Sequence, residues 1–151
     1  MTPIATPISR LIFACLAAVG LATPMSALAA PSASCTVSVD YVYNGTVVEP
    51  YVKEFVVESG VTYTDDFSTT TRSKVFTASL GREAGKMVVS IDYFNDVGVF
   101  YAIGVNTKLT LHGRALETTS GSHGSYISSG VTPSSVGGNH ETNYTLMCTR
   151  L

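Results

Sequence analysis

The chain has 151 residues, 45% of them apolar and 13% charged, with three cysteines, no Trp and a formal net charge of −2. That length holds one domain at most. The mild acidity leaves no basic stripe to attract nucleic acid or anionic lipid.

The first element is a leader. Residues 11–22 (LIFACLAAVGLA) form an unbroken apolar run after a short stretch carrying one base, Arg10, and the run is too short to span a bilayer. Pro24 and the small-x-small pattern Ala27-Leu28-Ala29 follow, so residues 1–29 read as a cleaved secretory signal peptide. Removing it takes Arg10 and leaves eight bases against eleven acids, a net charge of −3, on a single domain over residues 30–151. Cys15 leaves with the leader; Ile12-Phe13-Ala14 before it puts a bulky residue where a lipobox needs a small one.

Cys35 and Cys148 remain, one near each end of the mature chain, and an even pair in an oxidising compartment is most simply one disulfide. Closing a loop of 113 residues is worth roughly 4 to 5 kcal/mol in the chain-entropy view.

The rest reads as short strands. Residues 35–43 alternate, with Cys35, Val37, Val39, Tyr41 and Tyr43 on one face, and the two tyrosines read as core rather than as a stacking platform. Asn44-Gly45 is a type I′ hairpin signal. The return run over 46–57 contains Pro50, which marks an edge or a bulge, and Ser59-Gly60 turns the chain again. Val61 to Phe67 suggests a weak strand, and Phe76, Ala78 and Leu80 share a face of the next.

Gly81 to Gly85 reads as a hairpin loop, after which Met87, Val89, Ile91 and Tyr93 are in phase. Asn95-Asp96 is expected to turn into Val97–Val105, an almost uniformly apolar run with the look of a central strand buried on both sides. Leu109 and Leu111 continue a strand that stops at His112-Gly113. Residues 118–138 hold seven Ser, three Thr and five Gly in 21 positions, a composition that predicts a long, flexible, exposed loop. Tyr144, Leu146 and Cys148 are again in phase near the C-terminus. The expected fold is therefore all-β, a small antiparallel sandwich or closed barrel stapled by one terminal disulfide.

Catalytic and metal motifs are absent. His112, His123 and His140 match no zinc spacing and read as solvated loop residues. Ser122-His123 lies in no Gly-x-Ser-x-Gly elbow, and neighbours on an extended segment point to opposite sides. No cofactor is expected. The reading is a monomeric, exported bacterial protein, periplasmic or secreted, that is not an enzyme and binds another protein through the 118–138 segment, with Ser120, Ser122, His123 and Tyr126 as the contacts. The alternatives are an enzyme inhibitor that uses the same segment as a wedge and, from a different class, a subunit of a surface fibre or adhesin.

Lys108-Leu-Thr-Leu-His112-Gly113, followed by Ser120-Gly-Ser122-His-Gly-Ser-Tyr126, resembles the strand and Ser-Gly-Ser-x-x-x-Tyr loop of the membrane-bound or periplasmic inhibitors of c-type lysozyme. The resemblance implies a small exported β-barrel with a disulfide joining the chain ends and a loop that enters the enzyme's active-site cleft. The chain departs from that family at Ser125, where a basic residue is expected, and lacks the downstream Trp-x-Lys-Gly motif.

Overall fold

The computed structural model describes residues 30–98, 101–127 and 137–151. The leader over residues 1–29, with its cleavage site, lies outside them. Eight strands run in chain order: β1 (Ser32–Tyr43), β2 (Thr46–Glu58), β3 (Tyr63–Asp66), β4 (Lys74–Glu83), β5 (Lys86–Gly98), β6 (Tyr101–Leu111), β7 (Glu117–Ile127) and β8 (Gly138–Arg150). They form two antiparallel four-stranded sheets, β2-β1-β8-β7 and β3-β4-β5-β6, packed as an open sandwich rather than a closed barrel.

Alternation fixes the inner faces. Ala33, Cys35, Val37, Val39 and Tyr41 of β1 and Leu146 and Cys148 of β8 bury against Phe76, Ala78 and Leu80 of β4 and Met87, Val89, Ile91 and Tyr93 of β5. The larger of these side chains each contribute roughly 1.5 to 3 kcal/mol by leaving water. Cys35 is directly opposite Cys148, and the two form the disulfide on the core side, joining the two central strands of the first sheet.

Turn chemistry sets the register. Asn44 (φ 48°) and Gly45 (φ 80°) make the expected two-residue β1–β2 hairpin. Pro50 sits on β2, the edge strand of its sheet, where a missing N–H is tolerated.

Four expectations need correcting. The loop over Gly81–Gly85 is only the two-residue turn Ala84-Gly85, both at positive φ, with the strands running to Glu83 and from Lys86. Asn95-Asp96 does not turn; it is paired within β5, because Asn95 is drawn into a buried hydrogen-bonded cluster. Residues 97–105 are not a strand buried on both sides: β6 is the edge of its sheet, with Ile103 and Val105 inward and Ala102 and Gly104 exposed. Finally, residues 118–127 of the supposed loop lie in β7, which is held by an unbroken eleven-pair ladder to β8. Backbone pairing with a well-packed neighbour supplies what the small polar side chains lack; residues 128–136 lie outside the described part.

The sandwich is filled unevenly. Beneath β2, the rings of Tyr51, Phe55, Tyr63, Phe67, Phe76 and Tyr93 interlock at centroid distances of 4.8 to 6.2 Å. Beneath β7 the inward positions are Glu117, Thr119, Gly121, His123 and Ser125, none of them buried. The ring of Tyr144 lies across Gly121, where a Cβ would stand 2.7 Å from it, and its hydroxyl donates to Thr107 Oγ1 on β6 at 3.4 Å.

Candidate functional site

Pairing with β8 decides where the predicted contact residues stand. Ser120 is opposite Thr145 and Ser122 opposite Asn143, positions of the sheet's outer face, whereas His123 is opposite Thr142 and belongs to the inner side; Tyr126 pairs with Asn139 in the same ladder. Ser120, Ser122 and His123 are all exposed. The structure thus brings Ser120 and Ser122 together and separates His123 from them, so Ser122-His123 is not a nucleophile–base pair. Of the segments that carry the family resemblance, 108–111 lies in β6 and 120–126 in β7.

Sequence reasoning missed Glu141. Its Oε1 accepts a hydrogen bond from Ser122 Oγ at 3.0 Å, a diagonal contact across β7 and β8. Beside it a surface hollow of about 420 Å³ is lined by Gly45, Gly124, Ser125, Asn139, His140 and Glu141. The hollow lies between the β1–β2 turn and β7, and Asn44 fixes that turn by exchanging hydrogen bonds with the backbone of Asn139 at 2.9 Å each way.

His140 is not the solvated loop residue expected. It is only 2% exposed, its Nδ1 is 2.7 Å from the Tyr41 hydroxyl, and the Tyr43 ring packs at 5.2 Å. Residue 140 has inward phase in β8, with Thr142, Leu146 and Cys148, and that phase was the available signal. His112 lies with Nδ1 3.4 Å from Glu117 Oε1, spanning the β6–β7 connection. Among the described residues, no three His, Cys, Asp or Glu converge on a point where a metal ion would sit.

A second polar centre ties the sheets together beneath β2. Glu49 accepts from Arg72 Nη1 (2.9 Å), Lys74 Nζ (2.6 Å) and Asn95 Nδ2 (3.0 Å), and Asn95 Nδ2 also donates to the Tyr93 hydroxyl at 3.0 Å. Burial acts to raise the Glu49 carboxyl, but the hydrogen bonds of Lys74 and Asn95 and the charges of Lys74 and Arg72 outweigh it and hold it below its ordinary value. Burial pushes Tyr93 up to about 12, against the hydrogen bond from Asn95 and with the help of the Glu49 charge. Tyr51 is raised by burial and by Asp65, to which its hydroxyl donates at 3.0 Å, and Lys53 pairs with the same carboxylate at 3.0 Å. Every charged group in this centre has a partner of opposite charge, which is the arrangement of a structural clasp rather than of a reactive group.

A scan of protein-family models finds no match to the chain, and neither does a comparison with curated protein sequences.

Proposed function

We propose that the protein is an exported bacterial binding module that recognises another protein, without catalysis, through β7 and the adjoining outer face of the β2-β1-β8-β7 sheet. The observation that carries this reading is the position of β7. It is an edge strand paired with β8 along its whole length, and none of its described side chains, residues 117–125, is buried. Natural sheets usually guard such an edge with charge, proline or a bulge. From Thr118 to Ile127 this strand has no Pro and no Lys, Arg, Asp or Glu, and its pairing to β8 has no register shift. An open, uncharged edge suits the addition of an extended segment from a partner, with backbone hydrogen bonds giving affinity and flanking side chains giving selectivity. Ser120 and Ser122 flank that edge. The leader-like N-terminus and the disulfide support an exported setting.

The test is affinity capture by the oxidised protein from envelope extract and from host secretions, lysozyme included, followed by titration of each purified candidate. A true partner binds the Ser120→Lys, Ser122→Lys double variant at least ten-fold more weakly than wild type. A search that retains nothing, or a partner indifferent to both substitutions, overturns the reading.

A fibre subunit is the second reading, and the opposite edge favours it. β2 is an edge strand with Val47, Val48, Val52 and Val56 exposed, and Val61 exposed just beyond it. Pro50, Lys53 and Glu54 interrupt that strip, so edge-to-edge growth through β2 works against built-in guards. Self-association that survives dilution and is abolished by Val52→Lys would favour it over recognition by β7.

A further inference from the structure

We propose that the hollow beside β7 is a socket for a cationic side chain, Lys or Arg, presented by the partner protein; this deepens the binding reading above and rests on it. Three independent features of the molecule converge there.

Glycine 124 is the first. Gly45 in the same hollow is explained by its φ of +80°, and Gly121 by the ring of Tyr144. Gly124 has neither reason: its φ is not in the left-handed region, and an added Cβ would stand 3.6 Å from the His140 carbonyl oxygen and 3.9 Å from Glu141 Cγ, ordinary contacts. Glycine inside a strand weakens it and marks a place where a ligand or another chain comes close. Here the missing side chain leaves the hollow open.

The second feature is the lining. Glu141 forms the wall, oriented by the Ser122 hydroxyl, and no Lys or Arg among the described residues pairs with it. The Glu141 carboxylate only accepts, and the group that matches it is all donor: an ammonium or a guanidinium. A volume of about 420 Å³ accommodates one long side chain.

Charge distribution is the third. By register, the outer face of this sheet carries Asp40, Glu54, Glu58 and Glu141 and, among the described residues, no base. Lys53, Arg72, Lys74 and Lys108 are paired with Asp65, Glu49 and Glu83 elsewhere. Arg82 and Lys86 flank the β4–β5 turn, Arg114 lies between β6 and β7, and Arg150 is opposite Ala33 on the inward phase. The net negative charge of the mature chain is therefore concentrated on the face that holds the hollow, which steers a basic partner toward it.

The experiment is an NMR titration of the ¹⁵N-labelled, oxidised protein with an acetylated tetra-arginine amide, and with the tetra-citrulline counterpart, which keeps the shape and removes the charge. Arginine peptide should shift the amides of Gly124, Asn139 and Glu141 saturably, more weakly as salt rises, while the citrulline peptide does not. Glu141→Gln should weaken binding at least ten-fold, and Gly124→Val, which fills the hollow with a residue that favours strands, should do the same in a protein whose other amides are unmoved. Equal response to the two peptides, shifts centred elsewhere, or indifference to both substitutions overturns the socket. The titration needs no natural partner, so the two readings fail separately. A saturable site with no captured protein removes the protein-recognition reading, and a captured protein whose affinity survives both substitutions removes the socket.

Discussion

Replacing Glu49 by Gln tests whether the polar centre beneath β2 clasps the sheets. The substitution keeps the side-chain shape and one acceptor oxygen but removes the charge that Lys74 and Arg72 share. Lys74 matters more, because its side chain is 15% exposed against 41% for Arg72. A charge-assisted hydrogen bond of that kind contributes about 1.5 to 3 kcal/mol, whereas the Arg72 bridge, closer to solvent, adds at most about 1 kcal/mol. The expected loss is therefore about 2 to 3 kcal/mol at pH 7, a fall in Tm of roughly 6 to 12 °C for a domain of this size.

The pH dependence gives a sharper check than the magnitude. Because the folded carboxyl titrates below its ordinary value of 4.5, its contribution is complete above that value and fades as pH falls through the folded one. Thermal unfolding followed by circular dichroism from pH 7 to pH 2 should show wild type and Glu49→Gln converging at the acid end. Parallel curves, or a gap at pH 7 below about 2 °C, less than about 1 kcal/mol, would refute the clasp.

Three further outcomes follow from the packing and the turns. Phe76 is fully buried and touches the rings of Tyr51, Phe55 and Tyr63, so Phe76→Ala should cost about 3 to 5 kcal/mol in urea unfolding; a cost under about 1 kcal/mol would mean the ring cluster is not a core. Thiol labelling of the unfolded, unreduced protein over residues 30–151 should find no free cysteine, and the double Cys35→Ala, Cys148→Ala variant should lose about 2 to 5 kcal/mol. Ala84→Asn should raise stability by about 0.5 to 1 kcal/mol, since Asn accepts the positive φ that Ala holds under strain, whereas Gly81→Ala, at an open position with unstrained φ, should change little.

What the sequence made legible was whatever alternation and turn chemistry encode locally. The inward phase of β1 and of the first half of β5 was readable because apolar residues recur at every second position over several pairs, and Asn44-Gly45 announces its own hairpin. Ala84-Gly85 does not, because alanine is no turn residue and the conformation is imposed by the flanking ladder. Asn95-Asp96 misleads for the opposite reason: residues common in turns are placed within a strand, where Asn95 bonds to its near neighbour Tyr93 and to Glu49 from a distant part of the chain. Val97–Val105 looked central from hydropathy alone, yet hydropathy does not reveal that no strand among the described residues pairs on the far side of β6.

The hardest part to read, β7, is also the part proposed above to bind a partner, and the two have one cause. A strand that packs a core advertises itself through its side chains; β7 is held by backbone pairing to β8 and by nothing apolar of its own among residues 117–125. Its sequence is thereby released from the requirements of folding. Gly121 is still bound by the Tyr144 ring above it, and so reports on packing. Gly124, three residues on, answers to no close contact within the molecule, nor does the exposed Ser120, and the charge of Glu141 opposite meets only the Ser122 hydroxyl. Where the fold stops dictating residues, the remaining choices are open to selection by something outside the chain, and the rigid ladder beneath them keeps their spacing fixed for it.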